Sequence, residues 1–109
     1  MEKRKPHYDL EEIKELLDDE ATRRITEQAI DGAVALGYMT VDAMLDVVNR
    51  LQRKHLLKSM TVHGNSKLWQ DVYMITDEDN DLYIKLQIIV IEGKIAKLVQ
   101  FKRDERGDS

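Results

Sequence analysis

The chain has 109 residues, 42% of them hydrophobic and 35% charged, which suits one soluble globular domain over 1–109 with a modest core. It contains no cysteine, so disulfide frameworks and thiolate metal sites are excluded and a reducing compartment fits. The formal net charge of −4 excludes a uniformly basic protein, but from Arg50 to Gln70 five basic residues meet no acid, which leaves room for a local patch that attracts a polyanion.

Residues 1–8 are basic and hold the single proline, Pro6, and they read as an irregular arm. No apolar stretch follows this charged start, and no run reaches the length of a membrane span. A cytoplasmic protein without membrane association is expected. Asp9, with Glu12 three residues on, predicts the start of a first helix whose stripe is Leu10, Ile13, Leu16 and Leu17. The acidic run Asp18–Glu20 opposes the negative end of a helix dipole and predicts its stop. Thr22–Ile25 reads as a short extended piece. Thr26 then caps a second helix with Ala29, Ile30, Ala33, Val34 and Leu36, closed by Gly37. Thr40 caps a third, with Val41, Met44, Leu45, Val48 and Leu51 as its stripe and the Arg50–Lys54 cluster near its end. The helical part is thus about 9–52.

The period then changes from 3.6 to 2. Strands are predicted at about 56–62, 68–76, 82–91 and 95–102, with turns at 63–66 and 92–94 and a solvated acidic loop at 77–81. The fold class is α+β: three N-terminal helices packed on one face of a mainly antiparallel four-stranded sheet, the other face partly open. The third strand sets the faces. Leu82, Ile84, Leu86, Ile88 and Val90 form the row expected to meet the helices, and Tyr83, Lys85 and Gln87 open the opposite row. In the last strand, simple alternation sets Lys97, Val99 and Phe101 on one side and Leu98, Gln100 and Lys102 on the other. Both rows of the second strand are mixed, so alternation leaves its faces open. His7, His55 and His63 lack metal-ligand spacing, and no metal site or cofactor is expected. No helix-turn-helix with a basic recognition helix is legible, so no direct DNA binding is expected.

Lys58-Ser59-Met60-Thr61, followed by Trp69-Gln70-Asp71-Val72-Tyr73, resembles the MqsR family of toxins from type II toxin–antitoxin pairs, which are related in fold to RelE-type ribonucleases. The opening Met1-Glu2-Lys3-Arg4 with Pro6-His7, the Leu82–Leu86 stretch and Val99-Gln100-Phe101-Lys102 extend the resemblance over essentially the whole chain, though it is loose in the second and third helices. The resemblance implies an mRNA interferase that cuts single-stranded RNA through its own 2′-hydroxyl without a metal, and a cognate antitoxin protein as partner. Carried over, the family's catalytic Lys, Gln and Tyr correspond to Lys58, Gln70 and Tyr83, and a lysine late in the last strand to Lys102. Arg53, Lys54, Lys67 and Lys85 are the candidate RNA-binding cations, with Tyr73 as a base-stacking candidate; Trp69 is expected in the core. Family members tend to be basic, and this chain departs from that. The alternative is a non-catalytic binding module of the same fold that pairs with an antitoxin or another protein. Convergence of Lys58, Gln70, Tyr83 and Lys102 separates the two readings.

Overall fold

The computed structural model describes residues 1–106. Its elements are β1 (Glu2–Lys3), α1 (Leu10–Asp18), β2 (Arg23–Ile25), α2 (Glu27–Ala35), α3 (Val41–Asn49), β3 (Leu56–Val62), β4 (Asn65–Asp77), β5 (Asn80–Val90) and β6 (Lys94–Arg103). The strands form one sheet in the order β1-β3-β4-β5-β6-β2. All pairings are antiparallel except that of β2 with β6.

Each helix begins where its capping residue predicts. Asp9 accepts from the Glu11 N–H, Thr26 from Ala29 and Thr40 from Ala43, each satisfying a donor that the first turn leaves free. α1 ends at Asp18, at the acidic run. α3 stops earlier than its basic tail suggests: Arg50 and Leu51 donate to Val47 and Val48, and this tightened last turn leads to a separate 3-10 turn at 53–55.

The core lies between the helices and one face of the sheet. Ile13 and Leu17 of α1, Ala29 and Ala33 of α2, and Met44, Val47 and Val48 of α3 pack with Tyr73, Leu82, Ile84, Leu86, Leu98 and Phe101. α2 approaches with its small residues and leaves Ile30 and Val34 exposed. It comes so close to β6 that a Cβ on Gly32 would stand 2.3 Å from the Phe101 carbonyl oxygen.

Four expectations are corrected. The sheet has six strands, because the arm contributes β1 and the 22–25 piece contributes β2, two short edge strands. The acidic loop contracts to a two-residue turn: Asp77 pairs with Asn80, and Glu78 adopts φ +53°. Asp77 is not a solvated loop residue; it accepts from the Tyr38 hydroxyl at 2.5 Å and from Arg50 at 2.7 Å. The inward row of β5 ends at Ile88, since Val90 is 75% exposed at the strand end.

Candidate active site

Cross-strand register decides which side chains share the uncovered face. Leu82, Ile84 and Leu86 point to the helices, so Tyr83 and Lys85 point away. Tyr83 pairs with Met74 on β4 and Lys102 on β6; Lys85 pairs with Val72 and Gln100; Val72 in turn pairs with Lys58 on β3. Gln70 sits two residues before Val72, on the same face, and its Nε2 donates to Gln87 at 3.3 Å. Lys58, Gln70, Tyr83, Lys85 and Lys102 therefore lie on one sheet face, distributed over four adjacent strands.

Lys102 reaches this face only through a defect in β6. Register shifts between Lys85–Gln100 and Leu86–Leu98, leaving Val99 as an extra residue. A β-bulge of this kind reverses the alternation beyond it. Leu98 and Phe101 are thus both fully buried, and Lys102 faces the open side. Simple alternation assigns Phe101 and Lys102 the other way round. Thr26 supports the bulge: its hydroxyl donates to the Val99 carbonyl at 2.6 Å and its N–H to the Leu98 carbonyl at 3.1 Å.

The electrostatics of the face are those of crowded cations around a phenol. Lys102 Nζ stands 5.1 Å from the Tyr83 ring centroid and Lys85 Nζ 5.8 Å. Burial, then the Lys102 and Lys58 ammonium groups, push the Lys85 pKa down. Burial pushes the Tyr83 phenol up against the opposing pull of Lys58 and Arg106, so it stays protonated at neutral pH. Asp104, which also acts on Tyr83, is paired with Arg106 at 3.2 Å.

Two residues that sequence reasoning did not single out organise the face from below and from the edge. Asp71 is fully buried on the opposite side of β4 and accepts from the His7 and Tyr8 N–H groups and from the Ser59 hydroxyl at 2.6 Å. With the stack of His7 on Trp69 at 5.1 Å and Lys3 Nζ 4.3 Å above the Trp69 ring, it fixes the N-terminal arm to the sheet. The arm's β1 then places Glu2 beside Met60, and the Glu2 carboxylate meets Lys58 Nζ at 2.8 Å. A lone aspartate in an aromatic strand segment is a signal in itself, because Asp is depleted in strands. Glu2 left no such signal, being 56 positions from its partner.

The remaining expected RNA contacts do not join the lysine cluster. Tyr73 is fully buried on the helix side of β4, away from any base it was expected to stack on. Burial, with Asp71 nearby, pushes its phenol up to about 12. Arg53 donates to the Arg4 carbonyl and lines a cavity of about 280 Å³ with Pro6, Tyr8 and Tyr73. Lys54 is exposed on the same 3-10 turn. Lys67 is exposed near the β3–β4 turn, roughly 17 Å along the strand from Val72 at about 3.4 Å per residue. Trp69 is partly buried under the arm rather than in the helix-side core. His55 Nδ1 accepts from the Gln52 N–H at 2.8 Å, so this ring caps the 3-10 turn.

Comparison with known proteins gives the chain its family. The chain is 35% identical over 89 residues to the mRNA interferase toxin MqsR of Escherichia coli (strain K12), covering 82% of this chain and 89% of that one. The family profile described as "Motility quorum-sensing regulator, toxin of MqsA" matches residues 5–103. The chain belongs to this MqsR toxin family.

Proposed function

We propose that the protein is the toxin of a type II toxin–antitoxin pair and an endoribonuclease that cleaves single-stranded RNA on its open sheet face. The observation that carries this reading is the placement of Lys58, Lys85 and Lys102 around Tyr83 on one uncovered face. A phosphodiester passing through a phosphorane gains negative charge, and cations fixed where that charge develops lower the barrier. Lys58 and Lys85 are suited to hold the phosphate oxygens. Tyr83, a neutral phenol, donates a hydrogen bond to one of them. Gln70, anchored on Gln87, orients the phosphate or a base edge. Lys102 stands on the far flank as a proton donor for the leaving oxygen. The chemistry uses the RNA's own 2′-hydroxyl and routes no step through a metal.

The Escherichia coli relative is named an mRNA interferase toxin, and the family is described as the toxin of MqsA. The partner proposed here is accordingly an antitoxin protein of that kind, met in the cytoplasm, where mRNA is also at hand. The testing experiment is incubation of the purified protein with mixed-sequence single-stranded RNA in EDTA, beside the Lys58→Ala variant. Discrete fragments from the wild type alone support the reading. Equal cleavage by both, or none by a folded wild type, overturns it.

A further inference from the structure

Cleavage by 2′-hydroxyl attack needs a group to accept the 2′ proton. Three of the side chains on the face are ammonium groups and one is a neutral phenol. Gln70 is not a base at neutral pH. Two carboxylates act on Tyr83: Asp104, which is paired with Arg106, and Glu2, which touches Lys58 directly. Glu2 is brought there by the arm: its strand pairs with β3 through Glu2–Met60 and Lys3–Ser59, and the Met1 ammonium and carbonyl both bond Thr61. The order across the sheet is then Glu2 on β1, Lys58 on β3, Tyr83 and Lys85 on β5, and Lys102 on β6. An acceptor stands on one flank, cations for the phosphate in the middle and a proton donor on the other flank. In-line displacement needs an acceptor and a donor on opposite sides of phosphorus, and the long side chains of Lys58 and Lys102, which both act on Lys85, extend from the two flanks toward the middle.

We propose that Glu2 is the general base of this site, taking the proton of the RNA 2′-hydroxyl while Lys58 holds both its carboxylate and the phosphate. The assignment rests on the ribonuclease reading above. The O2′–H proton passes to a Glu2 Oε as the O2′–P bond forms. The P–O5′ bond breaks, and O5′ takes a proton from the Lys102 ammonium. The products are a 2′,3′-cyclic phosphate and a 5′-hydroxyl, and water returns Glu2 and Lys102 to their starting states. The groups around Glu2 fit a carboxylate that is ionised at neutral pH: Lys58, Arg4 and the chain's amino terminus are all cationic, and the Lys58 hydrogen bond leads in holding its pKa below the ordinary glutamate value. Its charge also acts on Tyr83 of β5. Within the 2.8 Å pair Lys58 is the hydrogen-bond donor and Glu2 the acceptor, so Lys58 acts on charge and the proton goes to its partner.

The test compares Glu2→Gln, Glu2→Asp and Lys58→Ala with the wild type on one single-stranded RNA, reading kcat, KM, end groups and pH dependence. Glu2→Gln keeps an acceptor for Lys58, and unchanged Trp69 fluorescence verifies that the arm stays docked. The expected result is a loss in kcat on the order of 10²–10⁴-fold, with RNA binding as tight as in the wild type or tighter. The acidic limb of the rate profile should disappear in Glu2→Gln and persist, at a lower rate, in Glu2→Asp. A Glu2→Gln protein with the wild-type rate and profile overturns the base assignment while leaving the face catalytic, provided Lys58→Ala is inactive. A faster Glu2→Gln also overturns it, since Glu2 would then compete with phosphate for Lys58. No cleavage by the folded wild type, or Lys58→Ala as active as the wild type, overturns the underlying reading and this inference with it.

Discussion

Asp71 is the residue whose loss should separate the arm from the sheet. Its carboxylate is fully buried and receives His7 N–H at 3.0 and 3.1 Å, Tyr8 N–H at 2.9 Å and the Ser59 hydroxyl at 2.6 Å. Hydrogen bonds to a charged acceptor contribute about 1.5–3 kcal/mol each, and a buried donor left unpaired costs about 1–3 kcal/mol. Three orphaned donors would exceed what the arm's docking can sustain, so Asp71→Ala should release the arm and let water take the two N–H groups. That release limits the cost to about 3 kcal/mol, or roughly 10–15 °C in Tm for a domain of this size. Asp71→Asn should cost less, because its amide can turn Nδ2 toward Ser59, whose hydroxyl can accept. The assays are urea denaturation and acrylamide quenching of Trp69, the single tryptophan, which the arm covers through His7 and Lys3. Quenching should rise sharply in Asp71→Ala, and cleavage should fall with it because Glu2 leaves Lys58. A stable Asp71→Ala with wild-type quenching would refute this account of the carboxylate.

Three further outcomes follow from single contacts. Gly32→Ala should cost about 2–3 kcal/mol, because the backbone oxygen of Phe101 lies 2.3 Å from the new Cβ; Gly37→Ala, at φ +94° but facing open space, should cost about 1–2 kcal/mol, and urea melts showing the reverse order would count against the α2 packing. Tyr73→Phe removes a buried hydroxyl that has no partner among the described residues, so denaturation should show stability unchanged or raised by about 1 kcal/mol, with RNA cleavage intact. The Asp77 carboxyl is held below its ordinary value chiefly by the Tyr38 hydroxyl and then by Arg50; a depressed folded pKa stabilises above the unfolded carboxylate value and is lost as pH falls through the folded one, so Asp77→Asn should flatten the acid side of a Tm-against-pH curve.

The parts of the fold that were legible in the sequence are those fixed by near neighbours. Asp9, Thr26 and Thr40 cap helices because a side chain two or three residues away satisfies a free N–H, and such a signal is local. The inward row of β5 is legible through Ile88 for the same reason. What escaped depends on distant partners. Glu2–Lys3 and Arg23–Ile25 become strands only because Met60–Ser59 and Ala96–Leu98 offer them an edge, and two or three residues carry no periodicity. The face of Tyr73 is open in the sequence because both rows of β4 mix polar and apolar residues, and pairing with Ile84 is what turns it inward. Family resemblance, not periodicity, points to Lys58, Gln70, Tyr83 and Lys102. Alternation alone would have turned Lys102 toward the core, and only the bulge at Val99 brings it out.

An acidic chain can present a face suited to RNA because sign separation follows from the same layering that builds the core. The helices cover one side of the sheet, and their exposed acids, Glu11, Glu15, Asp42 and Asp46 among them, lie in that layer. The lysines of β3, β5 and β6 lie on the other. The shortest dimension of the molecule is 25 Å, about three Debye lengths at physiological salt. Over that distance the helix-side acids are largely screened from a strand approaching the open face, whereas Lys58, Lys85 and Lys102 act at contact range. Net charge therefore bears on solubility and on the long-range approach of a polyanion, and says little about the local field that a scissile phosphate would meet.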